Sequence, residues 1–344
     1  MDAPVSLQQW ENGPKIVAIG GGTGLSTMLR GLKNYTKNLT AIVAVSDDGG
    51  GSGVLRRDMG ILPPGDIRHC MEALADTEQV MEQLLCYRFE TGSLKGQSFG
   101  NLFLAALNGI TGSFEDAVRS MGKVLAIKGN VVPVTTADVK LMATFENGTS
   151  VVGESIICDF KKQQDCRITH VSLIPERAAA LPAALAAIAE ADLILLGPGS
   201  LYTSIIPNLL VDGIVEAIAA SDAQKCYVLN IMTQEGETEG YTASDHVDAI
   251  LAHGREGMID LCLANSADIS PQLRARYESE GAEPLTLDAE KITARGIEVV
   301  QRSVASEEGS LARHDPDKLA AAILEVYNDR AVRIYGGGRR YEKE

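Results

Sequence analysis

The chain has 344 residues, room for one large α/β domain or two smaller ones, with 45% hydrophobic but only 5% aromatic content. A formal net charge of −15 excludes the basic face that nucleic acid or an anionic membrane surface requires. Six cysteines without a CxxC pair exclude the common zinc and dithiol motifs, and no apolar run is long enough to span a bilayer, so a reduced, cytoplasmic setting without membrane insertion is expected.

Residues 1–13 read as a loose polar leader without a signal core. The apolar run 15–19 predicts a strand that ends in the loop Gly20, Gly21, Gly22, Thr23, Gly24 and leads into a helix from about Leu25 to Leu32. A second strand at 39–45 opens into Asp47, Asp48 and the glycine-rich stretch to Gly53, read as an acidic loop. Pro63 and Pro64 cannot sit inside a helix, so the next one starts after them, over 67–75, with Asp66 as its N-cap. Helical periodicity returns at 102–110 and 114–127.

Segment 131–174 changes character. The runs 139–145 and 149–153 flank Asn147 and Gly148, which predicts a β-hairpin with a tight turn, an antiparallel excursion within one domain spanning 14–330. An alanine-rich helix at 176–190 then leads to buried strands at 192–196, 226–230 and 258–263. The first of these ends in Gly197, Pro198, Gly199 and Ser200. A last helix follows Asp315, and 331–344 reads as a disordered tail. Short apolar strands between helices predict a Rossmann-like, three-layer α/β/α fold with a mostly parallel sheet.

Strand-end glycine loops let main-chain N–H groups approach a phosphate. The first loop is not a Walker A motif, and Leu25 stands where the third glycine of Gly-x-Gly-x-x-Gly would fall. Asp47 and Asp48 either cap a turn or take a ribose hydroxyl; with Asp66 and substrate phosphates they would suit Mg²⁺. The Gly197–Ser200 run suits an anion, and the Asn230 amide a base or sugar edge. Asn101 is either a helix cap or a ligand contact. Arg313, in so acidic a chain, suits a phosphate. The five histidines are scattered and read as packing or surface residues. No Gly-x-Ser-x-Gly elbow occurs.

Taken together, Gly20–Gly24, Ser46–Gly50, Pro63–Arg68, Gly100–Leu102, Leu196–Ser204 and Met232–Thr238 resemble the gluconeogenesis factor family, of the 2-phospho-L-lactate transferase-like (CofD-like) fold, over residues 15–328. The resemblance implies a cytoplasmic protein that binds UDP-sugars, UDP-N-acetylglucosamine above all. It implies regulation of cell shape and wall synthesis during gluconeogenic growth, with cell-wall synthesis proteins as partners and a homodimer as the assembly. Tyr277 and Arg313 fall where the family contacts the nucleotide sugar, and Asp48 and Asp66 align with the metal-binding acids of the transferase branch. That branch carries a tryptophan-containing stretch where this chain has Gly49–Gly53.

The expected function is therefore a nucleotide-sugar-binding regulator without turnover. Its contacts are Gly21, Gly22, Thr23, Gly24, Asp47, Asp48, Asn101, Gly197, Gly199, Ser200, Asn230, Tyr277 and Arg313. The alternative is a transferase moving a phospholactyl-type group with Mg²⁺ on Asp48 and Asp66. A nicotinamide dinucleotide binder is a third reading, set back by the broken glycine spacing and the lack of hydride-chemistry residues.

Overall fold

A computed structural model describes residues 13–164, 166–308 and 311–335. Of the expected leader, 1–13, all but residue 13 lies outside the described residues, as does the expected tail, 331–344, from residue 336 on; residues 331–335 continue the last helix. The chain opens with β1 (Ile16–Gly20), α1 (Gly22–Leu32) and β2 (Leu39–Val43). Helices α2 (Gly50–Met59), α3 (Gly65–Leu74), α4 (Gln79–Cys86), α5 (Phe99–Thr111) and α6 (Phe114–Val124) come next, then β3 (Asn130–Pro133). The hairpin strands β4 (Lys140–Phe145) and β5 (Ser150–Val152) lead through α7 (Glu154–Gln164) to β6 (Ile168–Ile174). Helix α8 (Pro182–Ala189) precedes β7 (Leu193–Leu196), a π-helical turn at Leu201–Ile205, and helices α9 (Ile206–Leu209) and α10 (Ile214–Ala220). Then follow β8 (Gln224–Val228), α11 (Ala243–His253), β9 (Leu261–Asn265), α12 (Pro271–Ser279), α13 (Ala289–Thr293) and β10 (Glu298–Arg302). The strand pair β11 (Ala305–Glu308) and β12 (Leu311–His314) and the long α14 (Pro316–Tyr335) complete the order.

Seven strands form one sheet in the order β10-β9-β8-β7-β1-β2-β3, every pairing parallel. Strands β1 and β7 are buried along their whole length, as continuous apolar runs covered by helices on both faces must be. From β1 the chain winds through β2 to β3 on one side and returns through β7 to β10 on the other. The direction of winding reverses between β1 and β7, and in such sheets that reversal leaves a crevice beyond the carboxyl ends of the two strands.

Several local expectations change: Asp66 is not the N-cap of α3 but lies in its first turn, Pro64 taking the cap position, and the helix expected over 176–190 forms only over Pro182–Ala189. The stretch Gly50–Gly53 is not a loop but the first turn of α2. Glycine is needed there for close packing: a Cβ on Gly53 would overlap the Asp48 carbonyl, while Leu55 anchors the helix against Ile61 and Ala105. The antiparallel excursion is also narrower than 131–174. β3 belongs to the main sheet as its edge strand, and the separate sheet is β5-β4-β6. Among the described residues no helix is long and apolar enough to cross a membrane.

Candidate functional site

A cleft of about 320 Å³ opens at the β1/β7 reversal, within the size range of small-molecule sites. One wall is the first turn of α1: Gly21, Gly22, Thr23, Gly24 and Thr27. Gly22 has φ +66°, which glycine adopts without strain, and no side chain caps this helix or places an acid in its first turn. Its N-terminal N–H groups thus have no side-chain acceptor and, with the Asp66 carboxylate packed behind Gly21, border the cleft as a candidate anion site.

The second wall is the loop after β7, with Gly199, Ser200 and Ser204, and the third is Asn230 through Gln234 after β8. These loops are tied to one another. Asn230 accepts from the Gly199 N–H at 3.1 Å and donates back to the Gly199 carbonyl at 2.8 Å. Ser200 donates to Gln234 at 2.7 Å. Fully buried Asn208 donates to the carbonyls of Gly20 (3.0 Å) and Ser204 (2.8 Å), so one amide links the end of β1 to the π-helical turn that follows β7. The N–H groups of Leu201, Tyr202 and Thr203, at the start of the π-helical turn, all point at the buried carboxylate of Glu237. Burial pushes that carboxyl up to about 7, against the pull of the three N–H donors.

The last wall is β12, which brings Ala312, exposed Arg313 and His314 to the cleft. Tyr277 stands behind it. Its hydroxyl accepts from the Ala312 N–H at 3.1 Å, and its ring packs with Ile231, Met232 and Leu273. It does not line the cleft; it braces the strand that carries Arg313.

On the far side of the first glycine loop lies an acidic group. Asp66, in the first turn of α3, presses so closely on Gly21 that a Cβ there would overlap its carboxylate. Asp47 accepts from the Gly49 N–H at 2.8 Å; burial raises its pKa, and Asp66 and Asp48 add to the rise. Glu154, opening α7, is pushed well above the usual carboxylate range by burial and then by Asp47, Asp66 and Asp48. Asp48 turns toward α7 and accepts from the Ser155 N–H at 2.9 Å. Hard oxygen donors of this kind suit Mg²⁺, although no set of three or more such residues among those described has the geometry of a metal site. A larger hollow of about 530 Å³ lies against edge strand β3, lined in part by Arg119, Lys123 and Val131, and includes none of the expected site residues.

The family model described as 2-phospho-L-lactate transferase CofD matches residues 16–305. The chain belongs to the CofD family. Family members similar to it include a "Putative gluconeogenesis factor" of Thermoanaerobacterium thermosulfurigenes, 54% identical over 91% of this chain and 97% of the relative. The "Gluconeogenesis factor" of Bacillus subtilis is 47% identical over 92% of this chain and 99% of the relative. Among solved structures, a UPF0052 family protein from Bacillus halodurans matches with a TM-score of 0.87 at 45% identity, over 91% of this chain and all of that one.

In this CofD-family chain the structure gathers Gly21, Gly22, Thr23, Gly24, Gly199, Ser200, Asn230 and Arg313 around one cleft. Gly197 lies behind the wall, its α-carbon facing Ile205 and the Val228 carbonyl. Asp47, Asp48 and Asp66 sit together beside that cleft, behind Gly21. Asn101 is buried away from it, its amide oxygen accepting from Arg68 at 2.8 Å; Arg68 also bonds Glu72 and His69. The sequence did not single out Glu154 or Asn208, and it offered Glu237 only as part of the Met232–Thr238 stretch. Their decisive partners, the acids around Asp66, the Gly20 carbonyl and the Leu201–Thr203 N–H groups, are remote along the chain.

Proposed function

We propose that the cleft binds a nucleotide sugar of the UDP-N-acetylglucosamine type, its pyrophosphate at the start of α1 and opposite Arg313, and that the protein acts by binding rather than turnover. The observation that carries this reading is the first turn of α1, which has no side-chain cap and no acid of its own, facing across the β1/β7 reversal an exposed Arg313 with no ion-pair partner among the described residues. The relatives' name supports a role in gluconeogenic growth, and regulation of cell shape and wall synthesis is proposed as its output, with wall-synthesis proteins as partners. Titration calorimetry with UDP-N-acetylglucosamine tests it. Binding should fall at least about tenfold in Arg313→Ala; unchanged affinity would remove Arg313 from the site.

A second reading, a transferase of the 2-phospho-L-lactate type, is supported by the family description and by the acidic group behind Gly21. There Asp66, with Asp47, Asp48 or Glu154, would hold Mg²⁺, which would neutralise charge on a donor's phosphates. In that reading the α1 amides orient the same phosphates, and Arg313 offsets charge that develops on them. Release of a nucleoside monophosphate from activated donors, abolished by chelation and by Asp66→Asn, would favour turnover. The dinucleotide reading loses support, since Asp47 and Asp48 hold the Gly49 and Ser155 N–H groups.

A further inference from the structure

Beside the cleft, the turn start at Leu201 is already filled by a carboxylate of the protein itself. Glu237 is completely buried. Its Oε2 accepts from the Leu201 N–H at 3.1 Å, and its Oε1 accepts from Tyr202 at 3.1 Å and Thr203 at 3.0 Å. The turn there is π-helical: Ser204 and Ile205 both donate back to the Ser200 carbonyl at 3.0 Å. Widened turns of this kind recur at functional sites. The segment that carries Glu237 is itself folded tightly, with the Gln234 N–H donating to the Thr238 hydroxyl at 2.9 Å. Gln234 then accepts from Ser200 on the cleft wall.

We infer that Glu237 is a positioning residue: an internal carboxylate that takes the place an anionic ligand would have at Leu201–Thr203 and so fixes Gly199, Ser200 and Ser204 in their ligand-ready arrangement. The inference rests on the reading of the cleft as a nucleotide-sugar site and refines it. A phosphate is excluded from the start of the π-helical turn, where it would meet an acceptor that has already satisfied the N–H groups, and is directed to α1. The third glycine loop serves as a shaped wall offering hydroxyls to the sugar.

The test uses the full chain in two arms. Amide exchange followed by NMR should show Leu201, Tyr202 and Thr203 protected in the wild type and exchanging rapidly in Glu237→Ala. Glu237→Gln keeps one acceptor oxygen and should leave Tyr202 and Thr203 protected while Leu201 is released. It also serves where the alanine variant does not fold. Calorimetry should show UDP-N-acetylglucosamine binding about tenfold weaker in Glu237→Ala. Added acetate, small enough to enter the vacated space and carrying two acceptor oxygens, should restore it; a general packing role would not respond to acetate. Unchanged protection in Glu237→Ala overturns the hold on the turn. Lost protection with unchanged affinity overturns the positioning role. If the wild type binds no nucleotide sugar, the cleft reading fails and takes the ligand half with it, and the exchange arm alone decides whether the carboxylate holds the turn.

Discussion

Among the cleft glycines the closest approach to another main chain is that of Gly24 to the loop after β7, and it makes the sharpest test. A Cβ built on Gly24 would lie 2.6 Å from the Pro198 carbonyl oxygen, 2.9 Å from its carbon and 3.1 Å from the Gly199 α-carbon. All three are main-chain atoms, so no side chain can swing aside. In Gly24→Ala the two loops must part by several tenths of an ångström, and overpacking of this kind costs roughly 1–3 kcal/mol. A methyl group in the first turn of a helix recovers at most about 1 kcal/mol through lower backbone entropy, so the net loss of stability should be roughly 0–2 kcal/mol, a few degrees in Tm at most. Ligand affinity should suffer more, because the displaced atoms are the cleft walls themselves. A fall of about tenfold, ~1.4 kcal/mol, is expected for UDP-N-acetylglucosamine by calorimetry. Wild-type affinity in a folded Gly24→Ala protein would refute the idea that the α1 and β7 loops form one rigid receptor.

Three further outcomes follow from the same geometry. Asn208→Leu removes the amide bonds to the Gly20 and Ser204 carbonyls, although the Ala44 N–H still donates to Gly20, and should lower stability by roughly 1–2 kcal/mol in urea unfolding; a loss below about 0.3 kcal/mol would show that the bridge is dispensable. Tyr277→Phe removes the acceptor of the Ala312 N–H, and should weaken nucleotide-sugar binding a few-fold while Arg313 itself is intact. No change in affinity would mean that β12 is held by packing alone. Stability against pH should reveal opposed terms. Burial holds the His246 pKa down to about 4, so its contribution is present above about 6.5 and is lost as pH falls toward 4. The Glu237 pKa is raised to about 7, so its contribution is present below about 4.5 and is lost as pH rises through 7. Each term is worth roughly 3 kcal/mol over its window. The wild type should therefore outperform Glu237→Gln by that much more at pH 4.5 than at pH 7, and a pH-independent difference would overturn the assignment.

Much of the fold was legible because it rests on local signals. Continuous apolar runs at β1, β2, β7 and β8 announced buried parallel strands, Pro63 and Pro64 marked the boundary before α3, and Asn147 with Gly148 marked the β4–β5 hairpin. The acidic glycine stretch misled, since glycine ordinarily argues against helix. Gly53 is tolerated in α2 because the chain must pass over the Asp48 carbonyl there. The glycine wall of the cleft was also legible. Its bracing was not: Tyr277 supports Arg313 from behind, Asn101 serves Arg68, and the anion expected at Leu201 is supplied by the protein's own Glu237. These roles are set by tertiary approach, which a linear pattern does not carry.

Strands β1 and β7 are neighbours in the sheet yet come from opposite halves of the chain, and Asn208, in the helix after β7, fastens onto the end of β1. Neither half alone owns a receptor. Occupancy is thus possible only after the late-synthesised portion has docked onto the early one, and a bound small molecule stabilises that finished form by mass action. Under the proposed nucleotide-sugar function, ligand supply would in this way govern both how much of the protein is engaged and how much of it survives.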